Sequence, residues 1–159
     1  MLNGSVSVKG QNELMKNYFI FLIVVFCAFP ALGAQSYGAV SVAKVISVYD
    51  GDSFKVDIEG YPEIIGKSIG VRVNGIDTPE IKGKCDAEKK LALKAKKITE
   101  ILLLNAKKIV LTEMKRGKYF RIVADVNIDG NNLGEVLVQE GVALPYSGGK
   151  KTHKWCNAH

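Results

Sequence analysis

Three short stretches of this chain hold side chains able to act on a charged substrate. Asp50-Gly51-Asp52-Ser53 places two carboxylates in a turn. Val71-Arg72-Val73-Asn74-Gly75-Ile76-Asp77-Thr78-Pro79-Glu80 then brings one arginine and two more carboxylates within nine residues, where a strand runs into a turn. Lys115-Arg116-Gly117-Lys118-Tyr119-Phe120-Arg121 reads as a basic hairpin tip. Carboxylate oxygens suit a hard cation. A carboxylate can also take a proton from water, and guanidinium forks match the oxygens of a phosphate. The chemistry this set serves is hydrolysis of a phosphodiester.

The substrate explains why those residue types are needed. A phosphodiester anion repels hydroxide, and its transition state gathers charge on the equatorial oxygens, so positive charge must already be in place. Arginine offers two parallel donors in one plane, which lysine cannot. The chain has 19 lysines and only three arginines, Arg72, Arg116 and Arg121. Two of the three, Arg72 and Arg121, fall where a phosphate would be held, which points to a geometric demand rather than a need for surface charge. Taken singly, each residue has a plainer reading. Asp50 and Asp52 can be hairpin-turn residues, Asp77 a turn cap before Pro79, Arg72 an exposed strand residue and Glu80 a surface carboxylate. All of these together, in this order, are a poor coincidence. For Arg116 the plain reading, a solvated charge at a turn tip, is preferred.

The elements that position these side chains are legible from periodicity. Val42–Val48 alternates and is rich in β-branched residues, which predicts a strand; Ser53–Ile58 returns from the Asp50-Gly51-Asp52 turn as its hairpin partner. Ser68–Gly75 predicts a third strand, with Ile69, Val71 and Val73 on one face and Arg72 on the other. Leu91, Ala95, Ile98 and Leu102 form a helical stripe within Ala87–Leu104. The lysines beside it read as a solvated face. Lys107–Thr112 and Tyr119–Ile128 predict two further strands, Leu133–Glu140 a short helix, and the segment from Ser147 a loosely structured tail in which Trp155 packs. Three strands, a helix, two strands and a helix is the order of a β-barrel with helices (α+β), specifically a five-stranded Greek-key barrel of the OB type.

DGDS, then R-x-x-x-x-DTPE, then KY-x-R, in this order on this element pattern, resembles the staphylococcal nuclease-like (thermonuclease) family over about residues 42–146. The resemblance implies a nuclease dependent on one calcium ion, hydrolysing DNA and RNA and leaving 3′-phosphate ends. It implies Asp52 and Asp77 as calcium ligands through their carboxylates and Thr78 through its backbone carbonyl. Arg72 and Arg121 would hold the scissile phosphate, and Glu80 would orient or deprotonate the water. Lys118 and Tyr119 match positions that contact a nucleotide phosphate, and Tyr146 lies near an aromatic substrate position. Phe120 and Ile122 flank Arg121 where members of the family often carry glycine, and Ser53 stands for the commoner threonine.

The N-terminus has a different character. Lys16 precedes an unbroken apolar run, Tyr18–Phe29, followed by Pro30 and the small residues Ala31, Gly33 and Ala34. This is the pattern of a secretory signal peptide. At about 12 residues the run falls short of the roughly 20 that a spanning helix needs. The expectation is therefore an extension and signal over residues 1–34, cleavage near Gly33–Gln35, a nuclease domain over 36–159, and a secreted or periplasmic product, monomeric and free of the membrane. Residues 36–159 hold 20 basic and 15 acidic side chains, about +5, which suits a polyanionic partner. In an oxidising compartment Cys85 and Cys156 are expected to pair, two free thiols being the alternative. A zinc site is disfavoured by the lack of CxxC spacing, with both histidines, His153 and His159, in the tail. Two competing functions are a non-catalytic nucleic-acid-binding module of the same fold and an envelope protein held by an uncleaved N-terminus.

Overall fold

Eight strands and three helices follow one another in the computed structural model, which describes residues 37–151 and 155–157. They belong to one compact unit, Gln35–His159. The leader pattern and both histidines lie outside the described residues. In chain order the elements are β1 (Val40–Asp50), β2 (Ser53–Ile58), α1 (Glu63–Gly66), β3 (Ile69–Val73), β4 (Ile76–Asp77) and α2 (Asp86–Asn105). After these come β5 (Ile109–Arg116), β6 (Ile122–Ile128), β7 (Asn131–Asn132), α3 (Leu133–Gln139) and β8 (Leu144–Pro145).

The sheet runs β3-β2-β1-β5-β6-β7, and a further pairing of β3 with β6 closes it. All neighbours are antiparallel except β3 and β6, which are parallel, with Arg72 opposite Val123. The result is the expected closed five-stranded mixed barrel of the OB class. Closure needs one strand to curl between two partners. β1 does so through register shifts at Val42/Lys44, Val45/Ser47 and Val48/Asp50, pairing with β2 along most of its length and with β5 at Val40 and Ser41. Such irregularities bend and twist a strand.

Side-chain alternation fills the barrel. Ile69, Val71 and Val73 point inward from β3, Ala124, Val126 and Ile128 from β6, and Phe54, Val56 and Ile58 from β2. Fully buried side chains of this kind contribute about 1.5–3 kcal/mol each. Leu133 and Leu137 of α3 are also fully buried. Asn132 caps that helix by accepting the Glu135 amide at 3.2 Å, in the expected manner of an N-cap asparagine.

Several boundaries differ from the sequence reading. On α2 the buried line is Ala92, Ala95, Thr99 and Leu103, while Leu91, Ile98 and Leu102 are partly buried against the core. The small residues sit innermost because the helix lies close to the barrel. β5 extends to Arg116 across a bulge between Thr112 and Lys115, where Glu113 has φ 48°. β6 starts at Ile122, not Tyr119: Lys118–Phe120 form a single tight turn in which Tyr119 and Phe120 take φ of 57° and 61°, backbone that cannot continue a strand. Arg116 is not merely solvated, since its guanidinium stacks 3.9 Å from the Phe120 ring centroid. The tail is also more ordered than expected over its described part. Tyr146 and Lys151 are bonded to other groups, and Trp155 is buried in a short helical turn.

Candidate active site

Strand order brings the three sequence stretches to one side of the barrel. The β1–β2 turn is held from two directions: the Asp52 carbonyl accepts the Val73 amide at 2.9 Å, and the Gly51 carbonyl accepts Thr99 Oγ1 of α2 at 2.7 Å. A Cβ on Gly51 would lie 2.7 Å from that of Ala95 and 2.9 Å from Thr78 Cγ2. Glycine is required there by space, because helix α2 and the Asp77–Glu80 segment both press on the turn. Gly75, at φ 76°, makes the turn from β3 into β4, and β4 pairs with β8 through Asp77 and Leu144.

Arg72 ties the two acidic segments together. It points outward from β3, with Nη1 donating to Asp52 Oδ1 at 2.9 Å and Nη2 to Asp77 Oδ1 at 3.3 Å and to the Ile76 carbonyl at 3.5 Å. Ser53 Oγ also donates to Asp52 Oδ1, at 2.8 Å. Asp52, Asp77 and Thr78 are all buried, while Glu80 is exposed. Lys151 Nζ lies 2.8 Å from Asp77 Oδ1 and donates to Glu80 Oε1 at 2.7 Å.

Asp50 joins this cluster, although from sequence it looked like a turn residue alone. It is buried, and its Oδ1 has no hydrogen-bond partner among the described residues. Burial, then the charge of Asp52, then that of Glu80 push its carboxyl up to about 7. Lys151 moves the other way in energy. Burial pulls its pKa down, yet hydrogen bonds to Asp77 and Glu80 outweigh that, and the net direction is up. The tail lysine had no signal in the sequence.

Arg121 reaches the same side by a different route. A Cβ on Gly70 would stand 3.0 Å from Arg121 Cγ, so Arg121 lies over the residue two before Arg72 on the same face of β3. Its Nε is buried without a hydrogen-bond partner among the described residues, and its guanidinium carbon lies 5.9 Å from the Tyr119 ring centroid. Arg121 and Tyr119 line a cleft of about 870 Å³ together with Ser53, Lys82, Lys96 and Phe120. Lys96 and Lys82 thus belong to the cleft, although the helix lysines read as a solvated face. Lys118 is exposed at the turn, and Tyr119 is 88% exposed.

Asp52, Arg72, Asp77, Thr78, Glu80, Lys118 and Tyr146 are not among the residues lining that cleft, so the carboxylate cluster lies beside it rather than in its wall. The Tyr146 hydroxyl donates to the Gly149 carbonyl at 2.6 Å and its amide to the Gly75 carbonyl at 2.8 Å. Cys85 and Cys156 form a disulfide with Cα atoms 5.9 Å apart. Glu88 lies beside it and accepts the Lys84 amide at 2.8 Å. Because the two sulfurs are bonded to each other, this Cys-Glu-Cys group is not a thiolate site. A second groove, of about 500 Å³, is lined by Tyr37, Val40, Tyr61, Ile65 and Met114 and lies away from the carboxylate cluster.

The site thus stands on a closed OB-type barrel with carboxylates and arginines on one side. Residues 70–156, more than half of the chain, match the family described as staphylococcal nuclease homologue, and the chain belongs to that family. Its members are generally nuclease hydrolases, which gives this chain a nuclease-like or nucleic-acid-related function. The match covers Arg72, Asp77, Glu80, Arg121 and both cysteines but begins after the β1–β2 hairpin. The place of Asp50 and Asp52 in the site therefore rests on the contacts they make.

Proposed function

We propose that this protein is a calcium-dependent nuclease that hydrolyses DNA and RNA endonucleolytically and leaves 3′-phosphate ends. The observation that carries the reading is Arg72 bridging Asp52 and Asp77, with Glu80 joined to Asp77 through Lys151. The donor set fits a hard cation. Asp50, Asp52 and Asp77 offer oxygens, and a buried carboxylate oxygen of Asp50 lacks a partner among the described residues. Asp52 and Asp77 would hold one calcium ion, with the Thr78 carbonyl completing the protein ligands. When bound, the ion supplies positive charge at the phosphoryl oxygen.

The chain's own residues do the rest. Arg72 and Arg121 hold the phosphate from two sides and neutralise its developing charge. Glu80 takes the proton of the attacking water as its oxygen bonds to phosphorus. The bond from phosphorus to the 5′ oxygen breaks, and that oxygen leaves as a hydroxyl after gaining a proton from solvent. Tyr119, which lines the cleft, and its exposed neighbour Lys118 meet the flanking nucleotide. A binding module without catalysis is disfavoured by the cluster of Asp52, Asp77 and Glu80 around Arg72 and Lys151, because carboxylates gathered beside basic groups weaken the hold on a polyanion. Tyr146, committed to Gly149, serves the tail before it serves substrate.

We further propose that the product works outside the cytoplasm as a monomer, in the manner of secreted bacterial members of the family. The leader pattern and the Cys85–Cys156 disulfide support this. No helix among the described residues is long and apolar enough to cross a membrane. N-terminal sequencing of protein recovered outside the cell tests cleavage near Gly33–Gln35. The catalytic reading is tested by incubating the protein with plasmid and with single-stranded DNA, in calcium and in chelator. Cleavage in calcium that persists unchanged in chelator rules out the cation dependence. No cleavage in either rules out the enzyme.

A further inference from the structure

The tail brings a positive charge into a carboxylate cluster. Lys151 Nζ is 2.8 Å from Asp77 Oδ1 and 2.7 Å from Glu80 Oε1. The segment that carries it is fixed on both sides. Upstream, Leu144 pairs with Asp77 itself, the Tyr146 amide binds the Gly75 carbonyl, and the Tyr146 hydroxyl binds the Gly149 carbonyl. Gly148 and Gly149, at φ 97° and 86°, turn the chain back toward β4. Downstream, Cys156 is bonded to Cys85, five residues after Glu80. Trp155 is buried beside that bond. A side chain pinned in this way meets its partner at a far higher effective concentration than a free amine does.

A divalent cation held by Asp77 meets a carboxylate that the Lys151 ammonium already engages through Oδ1. We propose that Lys151 is a tethered competitor for the cation, so that the disulfide-held tail sets the cation concentration at which the site loads. This rests on the cation reading given above. Loading is favoured when Lys151 withdraws its charge from Asp77. Its side chain is 43% exposed, so it has solvent to withdraw into. Glu80 is freed by the same movement. One event then opens a ligand and releases the carboxylate assigned to the water. An affinity measured with the tail in place is the intrinsic one reduced by the fraction of molecules in which Lys151 stands clear.

The test is direct binding of calcium chloride, followed by isothermal titration calorimetry on the full chain with its disulfide intact. Partly exposed ion pairs shift an equilibrium by up to roughly fivefold each, so Lys151→Met is expected to bind calcium about fivefold more tightly than the parent. Lys150→Met removes the same charge from the neighbouring exposed position and is expected to stay within about twofold. Lys151→Arg keeps the charge and is expected to restore most of the parental affinity. Equal affinity in the parent and Lys151→Met, or weaker binding in the variant, overturns the competitor role and leaves the cation site standing. Absence of calcium binding in all four proteins overturns both the inference and the cation reading beneath it.

Discussion

Replacing Asp50 by asparagine is expected to stabilise the fold while weakening its hold on a cation. Asp50 is 6% exposed, and burial followed by the charges of Asp52 and Glu80 raises its carboxyl from 3.8 to about 7. In the unfolded chain the same group titrates near its ordinary value of about 3.9. Between these two values the folded protein keeps a proton that the unfolded chain has released. The associated stability is therefore full below about pH 4 and is lost as the pH climbs through about 7. A displacement of about three units at about 1.4 kcal/mol each sets an upper bound near 4 kcal/mol. Relaxation of the site lowers it, so about 2–4 kcal/mol is the working figure. Asparagine has the same shape and no charge. Urea unfolding in chelator should show Asp50→Asn more stable than the parent by that amount at about pH 8, and by less than about 1 kcal/mol at about pH 4. Added calcium should narrow the gap at the higher pH, because it binds the parent better. A gap of equal size at both pH values, or a variant less stable at the higher one, would refute the claim that a strained buried charge sits at Asp50.

Glu80→Gln keeps the shape and removes the proton acceptor; kcat on single-stranded DNA should fall by at least about a hundredfold, and a near-parental rate would remove Glu80 from the mechanism. Arg121→Lys retains charge but not the planar fork, so kcat/KM should drop by roughly 10- to 100-fold, measured at saturating calcium. Gly51→Ala places a methyl 2.7 Å from Ala95 Cβ. It should cost about 1–3 kcal/mol in urea unfolding, and an unchanged midpoint would show that helix α2 yields easily. Replacing both Cys85 and Cys156 by serine opens a loop spanning 71 positions. That should lower stability by about 2–4 kcal/mol in denaturant titration.

The barrel was legible because alternation on β2, β3 and β6 is strict and the inward residues are those the sequence marks: Phe54, Val56, Val71, Val73, Ala124 and Val126. The outward placement of Arg72 followed from the same period, whereas the burial of Asp52 and Asp77 did not. Three things were hidden for physical reasons. The two-residue strands β4 and β8 are too short for any periodicity, yet they aim Asp77 and the start of the tail. Tyr119 and Phe120 are aromatic and favour strands, but here both take positive φ, so local propensity gave way to the need for a tight turn ahead of Arg121. Lys151 sits in a Gly- and Lys-rich stretch with no pattern, and its contacts with Asp77 and Glu80 arise only through chain segments 71 to 74 positions away. The roles of Asp50 and Lys96 were masked by simpler explanations, a turn and a solvated helix face, each of which is locally sufficient.

The parallel seam between β3 and β6 has a consequence for how the molecule matures. Arg72 lies on β3 at one edge of the unrolled sheet and Arg121 immediately precedes β6 near the other, and the seam, with Arg72 opposite Val123, joins those two strands. A chain that has formed every antiparallel pair but not this last, far-separated one owns both guanidiniums without the strand pairing that joins their segments. Such distant pairings form late. Under the proposed activity, nascent or half-folded copies would be harmless to the nucleic acid of the cell that makes them, and cutting power would arrive in a single step with the final rung of the cylinder.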